Sequence, residues 1–397
     1  MQPETFSTGS PGELVRITFD EPRRIGERAV PTRLDGWSFV PAPLREAAPT
    51  ASDLVSLMNA VADAATAVGR LDGATTGQSV NVNPSLLARP LRTREAQASS
   101  EIENTIASAK EIALAEMDYL FDREDPREVV RYLHALSHGL DSSYGLRGVL
   151  VREMHSVLVT DPSKTPGKYR DGTVYIGNDR SGFRLARFVP PPPDRVQPLM
   201  DELFDFMESP PPDLHVLLLI GMCHYQFETI HPFRDGNGRI GRLLIILSLC
   251  RSDLLSEPLI YPSAYFEAHR QEYYDALHRV STHGDWRTWL EMFLEAVRSQ
   301  AADALDRLNE LSGLRDRFLS LTADEGKSQR FVQLIDLLFE APAVTVKSVS
   351  RRIGSSVNTA RSYIELLERK GVLLEATGRK KDRVYVAPDI LDIIDRD

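Results

Sequence analysis

Two apolar stretches of helical character flank a short glycine-rich segment, and this arrangement constrains the fold more than any other feature of the sequence. The stretches lie at residues 215–222 and 243–250. A membrane span needs roughly 20 apolar residues, so each stretch predicts a helix buried in a protein core instead. The segment between them, 231–242, contains the run Gly-Asn-Gly, which predicts a tight turn that opens a helix.

Apolar residues recur at helical spacing along most of the remaining chain, which predicts a mainly α fold. The exception is residues 166–189, where regularly spaced glycines separate short β-prone runs, a pattern typical of a surface hairpin. Residues 1–45 predict an irregular arm with short strand-like pieces such as 14–19. The predicted helices cover residues 53–69, 94–120 in two pieces, 126–160, 197–207 between proline clusters, 213–227, and 285–321 with Gly313 as a candidate break.

The C-terminal part has a composition of its own. Three short amphipathic helices precede two β-prone runs around a basic turn, which predicts a winged helix-turn-helix. Four basic residues within 379–383 and Arg361 on the candidate recognition helix make DNA a candidate partner. Winged helices also dock proteins or dimerise, so a protein partner or a homodimer is the alternative.

The composition limits where in the cell the protein is expected and which partners its surface is expected to bind. The chain has 47 basic and 57 acidic residues, and this net charge of −10 argues against nucleic-acid or membrane binding over the whole surface. Cys223 and Cys250 lie in apolar surroundings and are interpreted as core residues. The N-terminus lacks a signal-peptide pattern, so we expect a cytoplasmic protein without a membrane partner.

Segment 231–242 combines residue types that bind phosphates. In a turn formed by Gly236, Asn237 and Gly238, successive N–H groups can converge on an anion, and the following helix adds the positive end of its dipole. Arg239 and Arg242 lie three residues apart on that helix. Both therefore share a face and can bind phosphate oxygens in a fork.

Asp235 and His231 add metal-binding and proton-transfer chemistry to the same segment. The Asp235 carboxylate is suited to hold Mg²⁺ against two phosphates of a nucleotide. The His231 imidazole, which titrates near neutral pH, is suited to take a proton from an attacking hydroxyl. The alternative is a helix start with chance glycines and solvated arginines, and the density of matching residue types disfavours it.

The twelve residues 231–242, His-Pro-Phe-Arg-Asp-Gly-Asn-Gly-Arg-Ile-Gly-Arg, resemble the Fic family signature His-x-Phe-x-Asp/Glu-Gly-Asn-Gly-Arg-x-x-Arg at every specified position. The resemblance implies a helical Fic core that transfers AMP from ATP, with Mg²⁺, to a Ser, Thr or Tyr hydroxyl of a protein, itself included among the candidates. His231 is then the base and Asp235 the Mg²⁺ ligand. A kinase-like branch carries Lys in place of Gly238, so the Gly-Arg pair favours AMP transfer. The implied nucleotide-binding residues are Gly236, Asn237, Gly238, Arg239, Ile240, Gly241, Arg242 and Tyr274.

A second resemblance lies upstream, in the run from Ser99 to Asn104. Ser-Ser-Glu-Ile-Glu-Asn is similar to the family's inhibitory motif, Ser/Thr-x-x-x-Glu-Gly/Asn. Ser99 and Glu103 are four residues apart, so we expect them to share a helix face. In the family the glutamate pairs with the second signature arginine, which implies that Glu103 pairs with Arg242 and takes the place of the γ-phosphate. An ordinary surface helix with a capping-like serine is the alternative.

Two further regions take an implied role from the family. The run at 166–189 falls where the family has a flap that holds the target peptide by strand addition, and an ordinary hairpin is the alternative. Tyr273 and Tyr274 lie where the family places a tyrosine near the adenine, with helix packing as the alternative. The implied flap residues are Thr173, Val174, Tyr175 and Ile176.

The sequence predicts a chain of five regions. It leaves two functions open besides AMP transfer alone. A DNA-binding regulator with a nucleotide-sensing core is one alternative, and an enzyme that also removes AMP is the other. His155 and His224 are interpreted as core or surface residues, because no acidic or cysteine partner lies at metal-ligand spacing. The parts are an arm (1–45), an N-terminal helical region with the inhibitory motif (46–125), a catalytic core (126–300), a helical linker (301–325) and a winged helix domain (326–397).

Overall fold

The computed structural model describes residues 1–25, 28–76, 84–119, 121–177, 183, 186–321 and 329–396. Within these residues the chain is mainly helical with small antiparallel sheets, which confirms the prediction of a mainly α fold. The α-helices, in chain order, are α1 (Ala51–Thr76), α2 (Pro84–Glu101), α3 (Ala109–Ala115), α4 (Asp125–Asp141), α5 (Gly148–Leu158), α6 (Pro193–Glu208), α7 (Val216–Ile230), α8 (Asn237–Arg251), α9 (Ser263–Ala268), α10 (Arg270–His283), α11 (Trp286–Leu321), α12 (Gln329–Glu340), α13 (Val346–Arg352), α14 (Val357–Arg369) and α15 (Pro388–Asp395).

The strands form two sheets. β1 (Gly12–Ile25) and β2 (Arg28–Pro41) pair with each other in antiparallel register. Near the C-terminus, β3 (Ala343–Val344), β4 (Leu374–Glu375) and β5 (Tyr385–Val386) form a second antiparallel sheet, in which β5 lies between the other two.

The prediction of an irregular arm at residues 1–45 is wrong, because most of this region forms the β1–β2 hairpin. The prolines and glycine in it suggested a broken chain. Pro22 and Pro31 lie opposite each other across the hairpin. A two-stranded ribbon leaves one edge of each strand open, and at an open edge a missing N–H removes no ladder hydrogen bond.

Several helix boundaries also differ from the sequence-based prediction. α1 continues through Gly69 to Thr76, and α2 begins ten residues before the predicted start at residue 94. α6 contains Pro198 in its second turn, where proline supplies no N–H for the helical hydrogen bond to the Asp194 carbonyl, so the helix continues despite this loss. α11 runs without a break through Gly313. Glycine weakens a helix without ending it when the flanking turns are well packed.

The chain divides into two compact units, and each combines segments that are distant in sequence. The first unit comprises Met1–Ala65, Ala135–Leu249 and His269–Ala296, and so holds the β1–β2 hairpin and segment 231–242. The second comprises Thr66–His134, Cys250–Ala268 and Val297–Asp397. The five-part plan drawn from the sequence stays a prediction.

The core of the first unit is built around α7 and α8, which carry the two apolar stretches and bury almost all of their side chains. The indole Nε1 of Trp289 donates a hydrogen bond to the carbonyl of Gly221 at 2.9 Å. A Cβ on Gly221 would lie only 2.9 Å from Leu290, so glycine permits this close approach. The packing holds α7 in place, and segment 231–242 begins at the carboxyl end of this helix.

In the second unit, α2 is fixed by polar contacts from its buried side. The Glu95 carboxylate is fully buried and accepts hydrogen bonds from the Tyr132 hydroxyl at 2.8 Å and from the Ser263 amide at 3.2 Å. A buried carboxylate is tolerated because these donors replace the water it has lost. The contacts join α2 to α4 and to the start of α9.

Residues 329–396, which we call the C-terminal module, contain α12 to α15 and the three-stranded sheet. Thr345 and Ser356 cap α13 and α14, each by accepting a hydrogen bond from the amide three residues on. The module contains the three helices and two strands that the sequence predicted, with β3 and α15 in addition, and its assignment as a winged helix-turn-helix stays a proposal. The sequence-based prediction missed α15.

Two smaller expectations concern the cysteines and membrane spans. Cys223 is buried, and burial raises the pKa of its thiol; burial raises the pKa of the Cys250 thiol to about 12. Both thiols therefore stay protonated near neutral pH; Cys223 lies in the core as expected, and Cys250 is half-buried. No helix within the described ranges is long and apolar enough to cross a bilayer.

Candidate active site

Segment 231–242 forms a turn followed by the first turns of α8, as the sequence predicted. His231 ends α7 in the left-handed region, with φ 51°, and its amide donates to the carbonyl of Phe227 at 2.9 Å. Gly236 is also left-handed, with φ 75°, and α8 begins at the next residue. A left-handed backbone is strained for residues that carry a Cβ and free of strain for glycine. This explains why the residue before α8 is Gly236.

Asn237 holds the turn closed from within. Its Oδ1 accepts a hydrogen bond from the Phe233 amide at 2.8 Å, and its Nδ2 donates to the Phe233 carbonyl at 2.9 Å. The side chain is buried and uses both ends of its amide on one residue. Asn237 is therefore part of the scaffold of the turn, and an aspartate or leucine at this position could not make both bonds.

His155 supports the same turn from α5 and was not predicted to do so. Its Nδ1 accepts from the Gly167 amide at 2.9 Å, which leaves Nε2 protonated to donate to the Asp235 carbonyl at 3.1 Å. The ring stacks on Phe233 with 3.8 Å between centroids. Burial lowers the pKa of His155 to about 4, so the imidazole is neutral at physiological pH. Of the two environments expected for His155, core or surface, the structure shows the core.

Arg170 fastens the segment before the flap to the end of α7. Its guanidinium is buried and donates to the carbonyls of His231 at 2.8 Å, Ile230 at 3.2 Å and Pro191 at 2.6 Å. Burial lowers the pKa of Arg170 to about 10, still well above neutrality. The cation thus meets the negative end of the α7 dipole, which offsets part of its desolvation cost.

The Asp235 carboxylate lies at the mouth of the turn and is about half exposed. Its Oδ1 accepts from the Gly236 amide at 2.7 Å. Two cations flank it: Lys164 Nζ lies 3.6 Å from Oδ2, and Arg239 Nη2 lies 3.8 Å from Oδ1. Lys164 is a neighbour that the sequence analysis did not identify.

The predicted arginines on α8 are buried. Arg239 is 7% exposed and Arg242 1% exposed, and both have polar or charged neighbours. Large buried cations cost free energy unless they are paired, and Arg239 has the Asp235 carboxylate 3.8 Å away. Whether they contact a nucleotide stays a prediction.

Gly241 lies on the face of α8 that packs against α7, and Ile240 precedes it in the same helix. Ile240 is fully buried. A Cβ on Gly241 would lie 2.1 Å from Oε1 of Glu228 and 3.1 Å from the Phe227 ring. Gly241 therefore permits the close approach of α7 and α8, and a role of Ile240 or Gly241 in nucleotide binding stays a prediction.

His224 and Tyr273 form a buried relay behind Gly241. The His224 Nδ1–H donates to the Gly241 carbonyl at 3.2 Å, and its Nε2 accepts from the Tyr273 hydroxyl at 2.8 Å. Burial lowers the pKa of His224 to about 3. His224 is thus a core residue, as expected, and Tyr273 packs in the core. Tyr274 is half-buried on α10, with the Arg270 guanidinium 5.9 Å from its ring centroid, and its adenine contact stays a prediction.

The predicted flap forms one isolated antiparallel bridge. Ile176 and Phe188 exchange backbone hydrogen bonds of 2.8 and 3.1 Å. Tyr175 packs against Phe183 with 6.1 Å between ring centroids. Thr173 and Val174 precede the bridge and belong to no helix or strand, and residues 178–182, 184 and 185 of the predicted hairpin lie outside the described residues.

The inhibitory motif lies in the second unit, and one expectation about it is wrong. Ser99 and Glu103 do not share a helix face, because α2 ends at Glu101 and Glu103 lies in the following turn. Ser99 is fully buried and Glu103 is exposed. Asn104 ends the turn in the left-handed region, with φ 64°. The pairing of Glu103 with Arg242, which belongs to the first unit, stays a prediction.

Comparisons with known proteins agree with this geometry. The Fic/DOC family matches residues 146–249, and the Fic/DOC family N-terminal region matches residues 58–141. The chain is 29% identical over 187 residues to Protein adenylyltransferase Fic of Aedes aegypti, which covers 46% of this chain and 34% of that protein. It is 32% identical over 139 residues to Protein adenylyltransferase Fic of Nematostella vectensis, which covers 35% of this chain and 29% of that protein. The match thus spans about a third of the length of these curated relatives.

A solved structure shares the fold. The crystal structure of a Fic family protein from Desulfovibrio desulfuricans G20 superposes with a TM-score of 0.53 at 23% identity, covering 83% of this chain and 95% of that one. The turn that His231 opens lies inside the matched region 146–249, and the segment with Ser99 and Glu103 lies inside the region 58–141. On these grounds the chain contains a Fic/DOC family domain preceded by the Fic/DOC family N-terminal region.

Proposed function

We propose that this protein is an adenylyltransferase that moves AMP from ATP to a Ser, Thr or Tyr hydroxyl of a protein target. The observation that carries the proposal is the closed turn between α7 and α8. It brings His231, the amides at the start of α8 and two buried arginines into one segment of twelve residues. The names of the curated relatives support the same activity.

The geometry of His231 suits a general base. Its Nδ1 lies 3.3 Å from the carbonyl of Glu228, and a carbonyl can only accept a hydrogen bond. Nδ1 therefore carries the proton, and Nε2 is the basic nitrogen. The Arg170 guanidinium holds the His231 carbonyl from the other side, so the residue keeps its left-handed conformation.

The start of α8 and its arginines would bind the phosphates of ATP. N–H groups in the first turn of a helix lack helical partners and attract anions. In the proposed reaction, Nε2 of His231 takes the proton of the target hydroxyl, whose oxygen forms a bond to the α-phosphorus. The bond from that phosphorus to the bridging oxygen breaks, and pyrophosphate leaves with the electron pair. Arg239 and Arg242 would offset the charge that develops on the phosphate oxygens.

Mg²⁺ fits the donor set around Asp235. Mg²⁺ is commonly held by one or two carboxylates together with substrate phosphates, and Asp235 presents one half-exposed carboxylate beside the start of α8. Such an ion would neutralise phosphate charge next to the leaving group. Lys164 and Arg239 flank the same carboxylate, so both would rearrange when it binds an ion.

Regulation and target binding complete the proposal. Glu103 would lower the resting rate by competing with the γ-phosphate for Arg242, as the family resemblance implies. The flap residues Thr173 to Ile176 would hold the target in extended form. Tyr274 would contact the adenine. A bifunctional enzyme, in which Glu103 also positions water to remove AMP, is the closest variant of this proposal.

Labelled AMP transfer tests the proposal. We expect Glu103→Gly to raise incorporation of AMP into protein above the wild-type rate. Adding His231→Ala to that variant should lower the rate by about 10²-fold or more, because a positioned base contributes that much. Adding His138→Ala, an exposed histidine on α4, is the matched control and should change nothing. Transfer that survives His231→Ala would reject His231 as the base, and an unchanged rate in Glu103→Gly would reject the inhibition.

A second candidate function is DNA binding by the C-terminal module. Arg361 on α14 and the basic run 379–381 are exposed, as phosphate-contacting residues would be. In a regulator that only senses nucleotide, DNA would bind in a salt-dependent manner and no AMP transfer would occur in Glu103→Gly. A homodimer through this module and a cytoplasmic location are also proposals.

A further inference from the structure

The loop between α2 and α3, residues 102–108, carries Glu103 and is closed at both ends by local hydrogen bonds. At its start, the amide of Thr105 donates back to the Ser100 carbonyl at 3.0 Å, across the left-handed Asn104. This is the hydrogen-bond pattern of a helix C-cap. At its end, Ser108 and Glu111 form a reciprocal capping box that starts α3.

A single carboxylate from the far end of the chain joins these two helices. Asp395, the last residue of α15, accepts at Oδ1 from Gln97 Nε2 and from the Ala109 amide, both at 2.8 Å. Gln97 lies two residues before Ser99, and it also donates to the Ala107 carbonyl at 3.0 Å. Asp395 therefore bridges Gln97 and Ala109, which lie on either side of the motif. All of these residues belong to the second unit.

α15 is itself firmly placed, so the bridge connects the motif to the C-terminal module. Its apolar side chains Ile390, Leu391 and Ile394 are buried. The buried Arg307 of α11 donates to the Arg396 carbonyl at 2.8 Å, just beyond Asp395. At its start, the Ala387 amide donates to the Pro342 carbonyl at 2.8 Å, beside the three-stranded sheet.

We propose that Asp395 is a positioning residue for the inhibitory motif, through which the C-terminal module controls AMP transfer. This inference rests on the proposed function. The bridge restricts the turn that presents Glu103, and conformational restriction increases the effective strength of an inhibitory contact. A ligand that displaces α15 would release the turn and raise the transfer rate, because it would favour the state without the bridge.

The test compares AMP transfer in Asp395→Ala, Glu103→Gly and the double variant. Asp392→Ala is the matched control, because Asp392 lies one turn earlier on α15 and is exposed. We expect Asp395→Ala to raise the rate at least about fivefold over wild type, because it loses two hydrogen bonds and the loss of one of ordinary strength corresponds to about that factor. It should add nothing in the Glu103→Gly background, and Asp392→Ala should match wild type.

A second readout does not depend on activity. Amide hydrogen exchange across residues 98–109 should be faster in Asp395→Ala than in Asp392→Ala, with thermal unfolding midpoints that differ by no more than about 4 °C. Equal exchange rates, or a rate increase that persists in the Glu103→Gly background, would overturn the role of Asp395. Absence of transfer in Glu103→Gly itself would instead reject the proposed function, and the exchange result would still decide the bridge.

Discussion

At the scale of the residue, His155 makes the stability of the active-site turn depend on pH. Burial lowers its pKa from 6.5 to about 4, so between these values the unfolded chain binds a proton that the folded protein does not. Stability from His155 is therefore fully present above pH 6.5 and is lost as the pH falls towards 4. His224, whose pKa burial lowers to about 3, acts in the same direction.

Urea unfolding at a series of pH values measures this effect. We expect the free energy of unfolding of the wild type to fall more steeply between pH 6.5 and 4 than that of His155→Asn. The exposed His138→Asn serves as the control and should keep the wild-type slope. Identical slopes in the wild type and His155→Asn would show that the buried imidazole does not stay neutral.

The sequence predicted the residues of the turn but not those that support it. His231, Asp235 and the glycines follow one another in a recognisable pattern. His155 and Arg170 act on the turn through backbone carbonyls from 61 to 80 residues away, so nothing in the local sequence marks them. The sequence feature that could have drawn attention to Arg170 is its position, as a cation three residues before the first of the predicted flap residues.

At the scale of the element, the end of α2 determines how Glu103 is presented. The motif ends in Gly or Asn because the residue after the glutamate adopts φ 64°, which these residues tolerate best. Periodicity suggested a continuous helix here and therefore a shared face for Ser99 and Glu103. The helix instead ends at Glu101, because Asn104 adopts the left-handed conformation of a C-cap.

Substitution of Asn104 tests this reasoning. We expect Asn104→Gly to keep the turn and the low resting rate. Asn104→Val should destabilise the left-handed conformation by about 1 kcal/mol or more, because a β-branched side chain is strained there. Exchange of the amides of residues 102–105 should then be faster and AMP transfer higher, and equal rates in the Gly and Val variants would contradict the role of the cap.

The β1–β2 hairpin shows the limit of prediction for elements. Its strands alternate apolar and polar residues only in part, and prolines and a glycine interrupt the pattern. Tertiary hydrogen bonds support the end of β2 that lies near the core. The Phe39 amide donates to the Val189 carbonyl at 2.9 Å, and Ser38 Oγ donates to the Pro190 carbonyl at 2.6 Å. Long-range contacts of this kind leave no trace in a window of local sequence.

At the scale of the whole molecule, the chemistry and its proposed control belong to different compact units. The turn at 231–242 lies in the first unit, and the motif at 99–104, bridged by Asp395, lies in the second. The sequence predicted the mainly α fold and both motifs, since each depends on local patterns. It could not predict α15 as a partner of α2, because that contact joins residues nearly 300 positions apart.

The central claim is that the protein transfers the α-phosphate of ATP, with its nucleoside, to protein. The most direct measurement compares protein labelling by ATP that carries the radiolabel on the α- or on the γ-phosphate, with the Glu103→Gly variant as enzyme and the same variant carrying His231→Ala as the blank. We predict labelling from α-labelled ATP alone, abolished by His231→Ala. Labelling from the γ-phosphate, or from neither, would contradict the account.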